Sequence, residues 1–429
     1  MSFSPSAPLD RDNSFTFLRL FFALAVVFGH SCVLGGFGEE PLSVFTRGAV
    51  SGREIAVQGF FILSGFLIAK SLAENPSLWR FACHRAFRVL PAYWVYLCGM
   101  VFVLALWLIA SRWPDRFSYV QLLTLGPQSA WNYFLQNWAV QALEFNIVPL
   151  FPSNPARFDV NGSLWSVQYE AIFYLNAAAA CAVQLLPRRM AGPIAVVAAL
   201  AAFWCSSLVL AFAALAGVWR LLVPPGRGTT ALFVILYLSG LLVTFCPGVF
   251  EILPLSAVVW LVPVFHPLWR ISSLAFLGGM LCWRYRDRLR FEARWLALAL
   301  AVLGAGIWLR QWTLVMPLAL PFVVLFLGAR LPFQKVGRWG DFSYGIYIFS
   351  FPLQQLLAQW GVHRAGLPAY LAASLALSIA AGVLSWFCVE KPALRLGRRL
   401  GAWRPAFNLH RLFAAKAAPI PPSAAPAIP

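Results

Sequence analysis

The sequence at positions 15–34, FTFLRLFFALAVVFGHSCVL, decides the fold class of this protein. An α-helix of about 20 residues is about 30 Å long, and this length matches the hydrocarbon core of a bilayer. Within the stretch, Arg19 is the only residue with a full charge at neutral pH, and His30 is the only histidine. The stretch therefore predicts a membrane-spanning helix with two functional candidates, because ionisable groups inside a membrane are costly to keep.

Similar apolar stretches recur throughout the 429 residues, of which 61% are hydrophobic and 11% are charged. A soluble domain carries roughly 25% charged residues, so this chain has too little polar surface for water. Hydropathy predicts spans at about 15–34, 54–73, 89–110, 165–186, 193–218, 230–247, 254–283, 295–310, 313–329, 343–360 and 368–389. We therefore expect an all-α, polytopic integral membrane bundle of ten to twelve transmembrane helices surrounded by membrane lipids, with the 254–283 stretch crossing once or twice.

Basic residues set the expected orientation of these spans. They are concentrated in short connections at 80–88, 188–189, 284–294, 335–338 and 391–399. The positive-inside rule makes these connections cytoplasmic, which predicts that the N- and C-termini are both cytoplasmic. The net charge of +18 is then explained by lipid headgroups, and we expect no nucleic-acid partner.

The chain divides into three predicted regions. Residues 1–14 form a polar N-terminal segment, residues 15–397 form the transmembrane domain, and residues 398–429 form a basic and then Pro/Ala-rich disordered tail. The eight cysteines include no CxxC pair, and most of them lie in or beside apolar stretches. We expect them to be small buried hydrophobic residues, and we expect no metal site.

Arg19 and His30 lie on one side of the first predicted helix. Eleven residues at 100° per residue bring them within about 20° of each other, about 16 Å apart along the axis. A neutral imidazole can accept a proton from a hydroxyl group, so His30 is a candidate general base. The alternative is a packed, hydrogen-bonded histidine with a structural role.

Arg85 and Arg88 stand at the predicted inner end of the third span. Three residues apart, they can point the same way on a helical turn. The planar guanidinium group matches phosphate oxygens, so the pair is a candidate phosphate clamp. The alternative is a plain positive-inside cluster.

Glu170 follows the sequence NGSLWSVQY and lies one to two turns inside the fourth predicted span, which the chain enters from the outside. The predicted topology places the start of this span at the same membrane level as His30. Glu170 could therefore meet His30 and orient its imidazole, as a carboxylate does in a catalytic triad. The alternative is a structural salt bridge to another helix.

The longest predicted outer loop, 111–163, carries an aromatic stretch around Trp131, Tyr133, Phe134 and Trp138. Loops of this length are often functional, and an aromatic surface suits a sugar acceptor. An aromatic belt at the membrane interface is an equally good interpretation.

Taken together, these motifs resemble those of acyltransferase family 3, the membrane O-acyltransferases of bacterial cell envelopes. The resemblance covers nearly the whole chain. The motifs that carry it are Arg19-x10-His30, FFILSGFL at 60–67, Arg85-x-x-Arg88-x-x-Pro91, LWSVQYE at 164–170, FLGGM at 276–280, SYGIY at 343–347 and VEKP at 389–392.

The resemblance implies an enzyme of the bacterial inner membrane that takes an acyl group, usually acetyl, from cytoplasmic acyl-CoA. It implies transfer to a hydroxyl of a sugar in an exopolysaccharide, a lipopolysaccharide or a similar cell-surface or exported glycan, including a lipid-linked one. It also implies that His30 is catalytic, that Arg85 and Arg88 contact CoA phosphates, and that Arg19 supports the donor channel. One position departs from the family, because Ser350 stands where the family often has a histidine before a proline.

A transporter or flippase for a glycolipid or a small molecule is the rival interpretation. In that class, Arg19, His30 and Glu170 would form an intramembrane relay. The chain shows no internal repeat of the kind that builds many secondary transporters, which favours the enzyme.

Overall fold

The computed structural model describes residues 13–403, except 75–76, 106, 108–128, 141, 148–149, 158 and 186–266. The predicted spans at 193–218 and 230–247 lie outside the described residues, as do positions 254–266 of a third one. Residues 1–12 of the predicted N-terminal segment and 404–429 of the predicted tail lie outside them too.

The described part of the chain is helical and contains no β-strand, with one isolated antiparallel bridge between Asn146 and Asp159. The α-helices are α1 Phe15–Leu34, α2 Pro41–Phe45, α3 Gly52–Glu74, α4 Leu78–Cys98, α5 Ala130–Asn137, α6 Leu164–Leu185, α7 Pro267–Arg284, α8 Ala293–Trp308, α9 Trp312–Arg330, α10 Ser343–Gln359, α11 Leu367–Ser385 and α12 Lys391–Ala402. The all-α prediction is confirmed over these residues.

Within the described residues, five helical segments are long and apolar enough to cross a membrane. They are Phe15–Leu34, Gly52–Glu74, Leu78–Ala105, Trp312–Arg330 and Leu367–Ala402. The third continues α4 through the π-helical turn Gly99–Ala105, and the fifth joins α11 to α12 through a second π-helical turn, Trp386–Glu390. These segments support the predicted membrane bundle.

Helix α4 begins at Leu78, well before the predicted start of its span at position 89. The Ser77 side chain caps the helix by accepting a hydrogen bond from the Arg80 backbone N–H at 3.3 Å. The helix then continues through Pro91. Arg85 and Arg88 therefore lie within a helix and not in a connection at its mouth.

Among the described helices, α3 and α7 approach each other most closely. A Cβ atom on Gly65 would overlap the carbonyl oxygen of Phe276, and one on Gly279 would overlap that of Ile62. Small residues let two helix backbones approach closely. Inside a membrane this close packing matters because the hydrophobic effect does not drive helices together in lipid. Two of the family motifs, FFILSGFL and FLGGM, thus meet each other and hold the bundle together.

Helix α10 packs between α1 and α11. Gly345 of the SYGIY motif faces Gly382 of α11, with only 3.0 Å from a Cβ built on Gly345 to the Gly382 Cα. This approach fixes one side of α10. The hydroxyl of Tyr344 donates to the Val89 carbonyl at 3.0 Å, which ties the same helix to α4.

Candidate active site

Two neighbouring cavities lie among these helices. The first, which we call the Glu170 cavity, is lined by residues of α1, α3, α4, α6 and α10. The second, the His30 cavity, is lined by residues of α1, α3, α7 and α10 and of the start of α6. Among the described residues, Val57 and Tyr347 alone line both.

His30 lines its cavity together with the polar residues Arg53, Glu54, Gln58, Ser163 and Ser272. The edge of the imidazole meets the Phe351 ring at a centroid distance of 5.2 Å. Its Nδ1 atom is buried and has no hydrogen-bond partner among the described residues. The hydrogen bond expected of a merely structural histidine is therefore not seen at Nδ1.

The sequence predicts that Glu170 could meet His30, but the structure does not bring the two residues together. Glu170 accepts a hydrogen bond from Ser64 at 2.8 Å and a short one from Tyr174, and it lines the other cavity. The reason is depth along α6, because Glu170 lies six residues after the helix start, about 9 Å further along the axis. Ser163 and Trp165, at the start of the helix, reach the His30 cavity instead.

Glu54 is the carboxylate that does line the His30 cavity. It forms a capping box with Ser51 at the start of α3: the Ser51 N–H donates to Glu54 at 2.9 Å, and the Glu54 N–H donates to the Ser51 hydroxyl at 3.2 Å. The adjacent Arg53 pairs with Glu39 at 3.3 Å, and its backbone N–H donates to the buried Glu40 at 3.3 Å. Our sequence analysis missed this group, although Ser-x-x-Glu before an apolar run is a recognisable capping signal.

Arg19 and Arg88 belong to a network of four charged groups. Asp341 pairs with Arg19 at 2.7 Å and with Arg88 at 2.6 Å, and Arg88 also pairs with Glu390 at 3.2 Å. Burial opposes ionisation of Asp341, but Arg88 and Arg19 outweigh it and lower its pKa to about 2. Two positive and two negative charges cancel, so the network is formally neutral.

Arg85 is in a different situation from Arg88. Its guanidinium lies over the Phe81 ring at 5.9 Å and the Tyr174 ring at 5.7 Å. No carboxylate pairs with it in the described part of the chain, and its buried Nε has no hydrogen-bond partner there. The two arginines of the predicted phosphate clamp therefore differ. Arg88 is ion-paired with two carboxylates, whereas Arg85 is not paired with any described carboxylate and can donate to a phosphate.

Helix α12 brings further basic residues to the start of α4. The Trp79 indole N–H donates to the Leu400 carbonyl at 3.0 Å, and Gly401 lies beside Cys83 and His84. The helix runs to Ala402, past position 398 where the disordered tail was expected to begin. Its basic residues are Lys391, Arg395, Arg398 and Arg399.

Tyr347 of the SYGIY motif stands between the two cavities. Its hydroxyl shares a hydrogen bond of 2.6 Å with Ser166 and donates to the Ser163 carbonyl at 3.4 Å. Ser350, at the position where the family often has a histidine, is fully buried and donates to the Tyr347 carbonyl at 3.1 Å. Here Ser350 supports α10, while the next residue, Phe351, contacts His30.

The aromatic stretch of the predicted outer loop is split by the fold. Trp131 and Phe134 stack at a centroid distance of 5.5 Å, and Trp131 and Trp138 are exposed. Tyr133 is buried and shares a hydrogen bond of 2.7 Å with Tyr96. The exposed rings line neither the Glu170 cavity nor the His30 cavity.

Comparison with known proteins identifies relatives along most of the chain. A family model described as an acyltransferase domain matches residues 12–387. The chain is 24% identical over 391 residues to an O-acetyl transferase of Shigella phage Sf6, covering 89% of this chain and 96% of the relative. It is 26% identical over 413 residues to Nodulation protein 10 of Rhizobium leguminosarum bv. viciae, covering 91% and 96%. No solved structure matches.

Proposed function

The chain belongs to acyltransferase family 3, and from that premise we propose that it transfers an acyl group, most often acetyl, from acyl-CoA to a sugar hydroxyl. The acceptor would be a cell-surface or exported glycan, such as an exopolysaccharide or a lipopolysaccharide. The O-acetyl transferase of the Shigella phage supports oxygen as the accepting atom. The apolar helices and the family support a multi-pass membrane protein, which we place in the bacterial inner membrane.

His30 carries the chemistry in this proposal. Its imidazole takes the proton of the acceptor hydroxyl while the hydroxyl oxygen attacks the thioester carbonyl carbon. The new C–O bond forms, the C–S bond breaks, and the leaving sulfur takes the proton back from the imidazolium as the CoA thiol. The supporting observation is the position of His30 in a polar cavity without a hydrogen-bond partner at Nδ1 in the described residues.

Arg85 and the basic face of α12 would hold the CoA phosphates. Arg85 is the member of the predicted pair without a described carboxylate partner, and α12 lies beside the same turn of α4. The pantetheine arm would then run through the Glu170 cavity, pass Tyr347 and deliver the thioester to His30. Arg19 and Arg88 would shape the wall of this path through their pairs with Asp341.

The rival transporter would need Arg19, His30 and Glu170 to form one relay. Arg19 and Glu170 share one cavity, His30 lies in the other, and Val57 and Tyr347 stand between them. This arrangement favours the enzyme, in which the two cavities are successive parts of one donor path, over the transporter, which needs a continuous relay of charged groups.

The decisive experiment measures the release of CoA as the purified protein hydrolyses acetyl-CoA, with water in place of the sugar hydroxyl and with wild type and His30→Ala compared. We expect release by the wild type and a loss of at least about a hundredfold in the variant, because general-base catalysis contributes that much. His363→Ala is the matched control, since His363 lies in the 3-10 turn Val362–Ala365 and lines neither cavity. Equal rates for wild type and His30→Ala would overturn the proposal.

A further inference from the structure

The two cavities meet at side chains of two helices. Of the described residues, Val57 of α3 and Tyr347 of α10 line both cavities, and each of the other described lining residues belongs to one cavity alone. A molecule that extends from Arg88 in the Glu170 cavity to His30 would therefore run beside these two side chains.

Tyr347 is held across this boundary by its hydroxyl. It shares a hydrogen bond of 2.6 Å with Ser166, which lines the Glu170 cavity. It also donates at 3.4 Å to the carbonyl of Ser163, which lines the His30 cavity. Both partners belong to the start of α6, so Tyr347 joins α10 to α6 at the point of passage.

Aromatic packing restricts the Tyr347 ring further. Phe60, one turn after Val57 on α3, meets the ring edge-on at a centroid distance of 5.8 Å. Only 7% of Tyr347 is exposed. The ring is therefore packed against α3 and anchored to α6, and a wide group could pass only by breaking those contacts, because packed interiors yield little.

We propose that Val57 and Tyr347 form a gate that selects the acyl group of the donor by its cross-section. The inference rests on the proposed function, because it takes acyl-CoA as the donor and His30 as the reaction centre. A linear acyl group is about as slender as the pantetheine arm that follows it. A branched acyl group is wider at the carbon beside the thioester, and its clash with Val57 and Tyr347 keeps it from reaching His30, so the branched donor loses those final contacts and binds more weakly.

Two isomeric donors test cross-section without changing composition: n-butyryl-CoA and isobutyryl-CoA carry the same atoms and differ only in branching. We would measure their dissociation constants by calorimetry on the purified full chain in detergent, beside acetyl-CoA and 3′,5′-ADP, the nucleotide end of CoA. For the wild type we expect isobutyryl-CoA to bind about tenfold more weakly than n-butyryl-CoA, the scale of one misplaced methyl group in a fitted site.

Val57→Ala should bring the two isomers close to equal affinity by widening the gate. Tyr347→Phe keeps the ring and removes both hydroxyl contacts, so it should reduce the discrimination a few-fold. Val167→Ala is the matched control, because Val167 lines only the Glu170 cavity and should leave the ratio unchanged. Thermal unfolding of each variant checks that the bundle is intact.

The outcomes separate the gate from the reaction. Equal affinity of the isomers in the wild type, or a ratio that Val57→Ala leaves unchanged, would overturn the gate while acetyl-CoA binding upholds the donor. If neither acetyl-CoA nor 3′,5′-ADP binds the wild type, the donor assignment fails and the gate fails with it.

Discussion

The Glu170 cavity and the His30 cavity differ in how their polar groups are satisfied. In the first, Arg19 and Arg88 are bound to Asp341, and Glu170 is bound to Ser64 and Tyr174. In the second, His30 has a buried nitrogen with no described partner. Polar groups that hydrogen-bond to each other stabilise the packing of the helices around a cavity. A buried polar group without a partner can instead hydrogen-bond to a substrate. We therefore expect the intramembrane charged residues of the Glu170 cavity to act in structure and His30 to act in the chemistry.

The largest effect should come from breaking the charge network. Arg88→Ala leaves Glu390, only 1% exposed, and Asp341 without their shared cation. Removing one partner of a buried pair costs about 3–5 kcal/mol, so we expect a lower unfolding temperature in detergent. Arg85→Ala, one turn away, is the control and should leave the unfolding temperature almost unchanged. Equal unfolding temperatures of the two variants would contradict the assignment of a structural role to Arg88 and not to Arg85.

Arg85→Ala should act on donor binding and not on folding. If Arg85 holds a CoA phosphate, we expect the dissociation constant of acetyl-CoA to rise about tenfold, because one charge-assisted contact contributes about 1.5–3 kcal/mol. Arg85→Lys should recover part of the affinity, since it keeps the charge and loses the planar fork. An unchanged dissociation constant of acetyl-CoA in Arg85→Ala would show that Arg85 does not contact a CoA phosphate and would leave only the basic residues of α12 as candidates.

Glu170→Gln should give the smallest effect. The amide oxygen can still accept from Ser64 and Tyr174, and the side chain does not face His30. We expect the rate of CoA release to change less than about fivefold, with a larger change for Glu54→Gln in the His30 cavity. A loss of a hundredfold or more in Glu170→Gln, the usual scale for a residue of an acid–base pair, would restore Glu170 as the partner of His30.

Most of the described fold was predictable, because hydropathy and helical length are local properties. The predicted span at 313–329 became α9 Trp312–Arg330, and 343–360 became α10 Ser343–Gln359. The start of α4 was missed since its first turns are too polar for a hydropathy criterion. The capping serine at position 77 was the available signal.

The candidate site was predictable in its residues and less so in its contacts. Arg19, His30, Arg85, Arg88 and Glu170 all line a cavity or lie beside one. Asp341 escaped notice because it lies in a connection and its two arginines are distant in sequence. Tyr347 was included only as the last residue of the SYGIY motif, with no contact predicted for it.

The sequence by itself determined that this is a helical membrane protein of acyltransferase family 3 with His30 and Arg19 on its first span. Those conclusions rest on local periodicity, on composition and on motif order. Only the tertiary structure decided which charges meet: Arg88 pairs with Asp341 across 253 positions and with Glu390 across 302. Such pairs depend on the depth and rotation of each helix in the bundle, which packing of the whole chain sets. For the same reason only the fold could place Glu170 with Ser64 and leave His30 on the far side of Tyr347.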